Sequence, residues 1–182
     1  MDDQSLLRRA EPKDAEGIAR VHVASWRSTY QGIVAPEVLD GLSVERRAAY
    51  WAGALSADGA PSVHYVAVDP STGVVGFASG GLERDGIDGF SSELFAIYVL
   101  ASSQGRGLGK RLVAAVVRDL IDAGHASMLV WVLAANPARH FYTALGGREV
   151  ASKRVTLGPD ELDELAFGWN GLAALATRLR SP

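Results

Sequence analysis

Glu93-Leu94-Phe95-Ala96-Ile97-Tyr98-Val99 is followed at short range by Gln104-Gly105-Arg106-Gly107-Leu108-Gly109-Lys110, and the join between them decides the reading of the chain. The first run is rich in aromatic and β-branched residues, the composition of a buried strand. Beyond the glycines, Leu108, Leu112, Val116 and Leu120 recur every four residues with Val113, Val117 and Ile121 beside them, the single apolar face of a helix that Gly124 ends. A strand that turns through three glycines into a helix brings backbone N–H groups close to a ligand. The helix start adds roughly half a positive charge. Such a turn suits phosphate oxygens.

Spacing eliminates the two commonest phosphate loops. A P-loop needs Gly five positions before a Gly-Lys-Ser/Thr triplet, but Gln104 stands at that point and Arg111 follows Lys110. A dinucleotide fingerprint needs Gly or Ala at 110 or 112, where Lys110 and Leu112 stand. The residues do match Gln-x-x-Gly-x-Gly. A second motif, Asn136-Pro137-Ala138-Arg139-His140-Phe141-Tyr142-Thr143-Ala144-Leu145-Gly146, has its own local logic. Asn136 suits an N-cap, Pro137 a first helical position, and Gly146 or Gly147 a C-terminal stop. Ala138, Phe141, Tyr142 and Leu145 fall at helical spacing and predict one inward stripe. Together the two motifs resemble the signatures of the GNAT superfamily of acetyl-CoA-dependent N-acetyltransferases, the first being similar to its acyl-CoA pyrophosphate loop. The chain departs from many members in lacking Pro after Tyr98-Val99, where Leu100-Ala101-Ser102-Ser103 stands; Pro there mainly restricts a turn.

The whole-chain numbers are compatible with one enzyme domain spanning residues 1–182. The chain has 182 residues, 48% of them hydrophobic, enough for a sizeable core. It contains no cysteine, which excludes disulfides, thiolate metal sites and a cysteine nucleophile. No apolar run reaches the ~18 residues of a membrane span, and Met1-Asp2-Asp3-Gln4 is unlike a basic signal peptide, so a soluble, cytoplasmic protein is expected. A net charge of −3 disfavours a nucleic-acid partner. Against that background Arg106, Lys110 and Arg111 form a basic cluster beside the glycines, either a solvated helix start or a ligand contact. The four histidines, His22, His64, His125 and His140, show no ligand spacing, and no metal is expected. No Gly-x-Ser-x-Gly elbow offers a serine nucleophile.

Along the chain, strands and helices alternate without repeat or linker. Ser5 to Ala10 reads as a strand. Asp14 is placed to cap a helix carrying Ile18, Val21, His22, Ser25 and Trp26, which ends near Tyr30-Gln31-Gly32, and Ser43 caps a second helix through Leu55 that Gly59-Ala60-Pro61 breaks. Val63–Val68 and Val74–Leu82 flank the turn Asp69-Pro70-Ser71-Thr72-Gly73, a hairpin. Met128–Leu133 reads as a central strand, and Arg148–Thr156 and Leu162–Trp169 complete the set. The fold class is α/β (α+β). The resemblance, which spans nearly the whole chain, implies a GNAT fold with a single mixed, mostly antiparallel sheet of about seven strands flanked by about four helices and splayed between strands 4 and 5. Asn170 to Ala176 is either a short terminal helix or a dimer-contact tail, which would make a homodimer.

Transfer of an acetyl group to an amine needs a bound acyl carrier, a neutral amine and a proton for the departing thiolate. Neutralising a lysine-like ammonium near pH 7.4 costs roughly 4 kcal/mol, so a general base helps. The resemblance implies that Glu93, at the start of the fourth strand, is such a base or a substrate contact; otherwise it is a strand-end glutamate that reaches solvent. Strict alternation puts Glu93, Phe95, Ile97 and Val99 on one face. Tyr142 matches the position whose hydroxyl serves the CoA sulfur, the alternative being an aromatic core residue. Asn136 matches a pantetheine contact or is only an N-cap. Family members pair pantetheine with the backbone of the fourth strand, here Ile97, Tyr98 and Val99, and hold pyrophosphate on Gln104, Gly105, Arg106, Gly107, Leu108, Gly109 and Lys110. Acetyl-CoA is thus the implied cosubstrate. Trp26 and Tyr30, four apart on a helix, share a face and either line an amine pocket or belong to the core. With Asp85, Asp88 and Glu93 close in sequence, the expected acceptor is an amine of a small molecule or peptide. A non-catalytic acetyl-CoA sensor is the alternative, and Tyr142 argues against it.

Overall fold

In the computed structural model, residues 5–57 and 62–180 are described; the Gly59-Ala60-Pro61 break and the first four residues lie outside them. Seven strands form one sheet in the order β1-β2-β3-β4-β5-β7-β6. They are β1 (Leu6–Arg9), β2 (Ser62–Asp69), β3 (Gly73–Leu82), β4 (Ser92–Val99), β5 (Met128–Leu133), β6 (Arg148–Leu157) and β7 (Asp160–Trp169). The helices are α1 (Ala15–Thr29), α2 (Pro36–Asp40), α3 (Val44–Ser56), α4 (Leu108–Asp122), α5 (Arg139–Ala144) and α6 (Leu172–Arg180). The mixed, mostly antiparallel sheet is therefore as expected. The helices exceed the expected four by α2 and α6. Leu172, Leu175 and Leu179 of α6 are buried in the same cluster as the apolar face of α4, so this segment is a packed helix.

Each face of the sheet has its own core, and the period of two in β2 shows how. Tyr65 and Ala67 pack with α4, while Val66 between them packs with Ile18, Ala19, Val21 and Trp51 of α1 and α3. Ser43 caps α3 as the sequence predicts, accepting from Arg46 N–H at 3.1 Å. Asp14 does not cap α1 with its side chain. It accepts from Arg8 at 2.6 and 2.8 Å and from Glu11 N–H at 2.8 Å, because burial beside a guanidinium makes the ion pair the better use of its oxygens.

Two irregularities in β4 create the site. Its only parallel neighbour, β5, is paired at Ser92↔Met128 and Glu93↔Leu129 and nowhere beyond, so the strands part after Glu93. On the other edge the β3 register slips between Gly80↔Leu94 and Ser79↔Ala96, leaving Phe95 as an extra residue. A Cβ on Gly80 would lie 2.7 Å from Val116 and 3.0 Å from the Glu93 carbonyl, so glycine lets β3 approach both α4 and the bulged strand. The bulge overturns the strict alternation expected for this strand. Leu94 packs with α4 together with Ile97 and Val99, whereas Ala96 and Tyr98 pack with α1 and α3. Glu93, on the far side of the bulge from Ile97 and Val99, faces the α1 side instead of sharing their face.

Candidate active site

The glycine turn lies at the α4 start, beside the gap between β4 and β5. Gly105 and Gly107 have φ of 76° and 74°, a left-handed conformation that side chains rarely adopt, and open space surrounds the place a Cβ would take. The first α4 bond runs from Arg111 N–H to the Gly107 carbonyl at 3.0 Å, which leaves the preceding amides of the turn outside the helix ladder. These features fit an anionic phosphate group. Arg106 is exposed beside the turn, whereas the Arg111 guanidinium reaches back to the Ser5 carbonyl at 3.1 Å. Gln104 donates to the Val99 carbonyl at 3.0 Å. That side chain therefore braces the turn against β4 and occupies one of the backbone acceptors expected to pair with pantetheine.

From the turn, a slot of about 130 Å³ follows the gap between the strands. Ile97, Tyr98 and Val99 form one wall, Val130, Trp131 and Val132 the other, with Gln104, Asn136 and Tyr142 also lining it. On the α1 side lies a larger cavity of about 530 Å³, lined by Trp26, Tyr30, Arg84, Asp85, Glu93, Trp131, Lys153 and Glu164 among others. Tyr30, Phe95, Tyr98, Trp131 and Val132 line both spaces. The slot and cavity thus adjoin through the sheet, because β4 and β5 lose their hydrogen bonds there.

A line of polar side chains fastens the opening. The Asn136 amide oxygen accepts from Ala138 N–H at 2.8 Å, and its NH₂ donates to the Tyr30 hydroxyl at 2.9 Å. Trp26 Nε1–H donates to the Tyr98 hydroxyl at 2.9 Å, and the Trp26 and Tyr30 rings lie 4.6 Å apart. Asn136 consequently caps the turn before α5, which begins two residues later than its N-cap reading implies. Its two functional atoms already hold the α1 wall and the turn together. Trp26 and Tyr30 share a face as the spacing predicts, and both line the cavity.

Tyr142 is buried on α5 and lines the slot. Burial, then the neighbouring Tyr30, pushes its hydroxyl pKa well up, so it keeps its proton through the neutral range. No hydrogen bond to that hydroxyl forms among the described residues.

The cavity holds three carboxylates with different commitments. Glu93 is 2% exposed, and both its oxygens accept from Arg84, at 3.0 Å from Nε and 2.5 Å from Nη2. This corrects the strand-end reading in which it reaches solvent. Arg84 in turn lies 4.1 Å over the Phe95 ring, so the bulge residue holds the guanidinium in place. Asp85 is paired with Lys153 at 2.5 Å. Glu164 lies 3.7 Å from Lys153, and among the described residues its carboxylate accepts no shorter contact. Burial pushes the Glu164 carboxyl above its ordinary range; Lys153 opposes the shift, while Asp85 and Glu93 add to it. Asp88 does not line this cavity. Sequence reasoning missed Arg84, Phe95, Trp131, Lys153 and Glu164. Acids at 160, 161, 163 and 164 look like a solvated strand end, and only register reveals which of them turns inward.

A glycine turn before a helix, opening on a slot through a splayed sheet, is compatible with a GNAT fold. A family model described as FR47-like protein matches residues 73–155, from β3 through most of β6. The chain is 37% identical over 173 residues to the Bacillus subtilis (strain 168) protein called Uncharacterized N-acetyltransferase YuaI, covering 95% of this chain and 97% of that one. It belongs to the GNAT superfamily of N-acetyltransferases. The fold is similar to a GCN5-related N-acetyltransferase from Rhodopseudomonas palustris, with TM-score 0.71 and 22% identity over 92% of this chain and 96% of the other. It is also similar to yncA of Salmonella typhimurium, a putative acetyltransferase solved with its cofactor acetyl-CoA, at TM-score 0.68 and 23% identity over 93% and 95% of the two chains.

Proposed function

We propose that this N-acetyltransferase moves the acetyl group of acetyl-CoA directly to a primary amine of a small molecule or peptide, within a ternary complex and without an acyl-enzyme. The observation that carries the reading is the junction of slot and cavity, which share Tyr30, Phe95, Tyr98, Trp131 and Val132. A carrier in the slot and an amine in the cavity can therefore meet inside the sheet.

When bound, acetyl-CoA supplies a thioester whose carbonyl carbon accepts the amine and whose sulfur departs. The rest falls to the chain. The turn from Gln104 to Lys110 holds pyrophosphate on backbone amides, with Arg106 adding charge at its exposed edge. The β4 backbone at Ile97 and Tyr98 orients the pantetheine arm, and Asn136 positions that wall through Tyr30. Tyr142 donates its hydroxyl proton to the departing thiolate. Trp26, Tyr30 and Tyr98 exclude water from one wall, while Glu93, fixed by Arg84, makes the cavity attractive to an ammonium. A panel of primary amines and peptide N-termini, assayed by CoA release, tests this reading. Initial rates with both substrates varied should give intersecting reciprocal plots; parallel plots would establish an acyl-enzyme instead.

A further inference from the structure

Resting on that reading, we infer that Glu164 is the catalytic proton acceptor for the amine, receiving the acceptor's ammonium through its unengaged oxygen. Position comes first. Glu164 lies directly across from Leu133 on β5 and across from Lys153 on β6, and Trp131, two residues before Leu133, lies on the same side of the sheet. Trp131 lines both cavity and slot, so Glu164 is one diagonal step from their junction. Commitment comes second. Arg84 holds both oxygens of Glu93, and Asp85 is bound closely by Lys153. Among the described residues Glu164 has a single ion-pair partner, Lys153 at 3.7 Å, and that lysine is also drawn 4.0 Å over the Trp131 ring. One carboxylate oxygen thus remains for a donor in the cavity.

Charge points the same way. Arg84 and Lys153 are the cavity's cations against Asp85, Glu93 and Glu164, one negative charge in excess, and a single ammonium completes the balance. The charged or titratable groups that face Glu164 are Lys153 from β6, Asp85 and Arg84 from the β3–β4 connection, Glu93 from β4 and Tyr30 at the end of α1. Partial burial among these acids raises its proton affinity towards that of a working base.

The ammonium gives one proton to the Glu164 carboxylate, and the nitrogen lone pair forms the C–N bond as the C–S electron pair leaves on sulfur. The Tyr142 proton passes to the thiolate, and the surplus proton on the acylated nitrogen returns to Tyr142, leaving the amide with one N–H. Glu164 then releases its proton to solvent, so one proton is produced for each ammonium acetylated.

The test is kcat/KM against pH for wild type, Glu164→Gln and Glu164→Asp, using the amine of the panel that turns over best, with acetyl-CoA affinity and Tm measured alongside. Wild type should show an acidic limb from the enzyme's base. Glu164→Gln should lose about a hundredfold or more near neutrality and recover tenfold per pH unit towards the amine pKa, because only the free amine then reacts. Glu164→Asp, which keeps a carboxylate at shorter reach, should restore part of the limb, and both variants should retain wild-type acetyl-CoA affinity. A Glu164→Gln profile that overlays wild type overturns the assignment, as does a pH-independent rise in KM with kcat intact. A wild type that releases CoA with no amine of the panel overturns the primary-amine reading itself and the Glu164 role with it.

Discussion

Acidification should destabilise this protein through His22, and the size of the effect follows from its surroundings. Both ring nitrogens are buried without a hydrogen-bond partner among the described residues, and the ring stacks 5.0 Å from Tyr98, 5.9 Å from Phe77 and 6.0 Å from Trp26. Burial, with a smaller contribution from Arg47, lowers its pKa from 6.5 to about 4. The unfolded chain therefore binds the proton first, so stability is full above about pH 6.5 and falls as pH drops towards 4. With these values, moving from pH 7 to pH 4.5 costs about 2 kcal/mol through this one group. Carboxylates titrate in the same window, and a second protein subtracts them. His22→Phe keeps an aromatic ring among the same neighbours and binds no proton. Urea unfolding of both proteins at pH 7 and 4.5 gives the double difference, and wild type should lose about 2 kcal/mol more than the variant. A double difference below about 1 kcal/mol, or a His22 NMR titration midpoint near 6.5, would refute the reasoning.

Three further outcomes probe the site. Gly107→Val forces a branched side chain into φ of 74° and should weaken acetyl-CoA binding by about 5- to 30-fold, from a left-handed cost of ~1–2 kcal/mol, read as a smaller ligand-induced rise in Tm; an undiminished rise would put the phosphates elsewhere. Tyr142→Phe removes only the hydroxyl and should lower kcat by about a hundredfold with acetyl-CoA affinity retained; wild-type turnover would end its role as the acid. Glu93→Gln removes the carboxylate fixed by Arg84 and should raise the amine KM about fivefold, the loss of ~1 kcal/mol of attraction, with kcat and the acidic limb of the pH profile kept. Loss of that limb in Glu93→Gln would move the base from Glu164 to Glu93.

Local patterns were legible where one element's neighbours in sequence are also its neighbours in space. The α4 stripe, the Ser43 cap and the Asp69–Gly73 hairpin turn each depend on residues within a few positions, and each forms as the spacing predicts. The face of Glu93 was not legible, because the extra residue Phe95 is defined by its pairing with β3. Asn136 was read as a helix cap. It caps the preceding turn, and its other half holds Tyr30, 106 residues away.

The sequence alone determined the glycine turn, its helix and the Tyr142 stripe, since backbone freedom at glycine and a period near 3.6 are local properties. The tertiary structure alone decided which carboxylate is committed and which is free. Arg84 reaches Glu93 across the β3–β4 connection, and Lys153 lies beside Glu164 through the β6–β7 register. The physical reason is that a carboxylate's chemistry depends on the charges and water around it, and in this chain those neighbours are brought together by strand pairing and by the parting of β4 from β5.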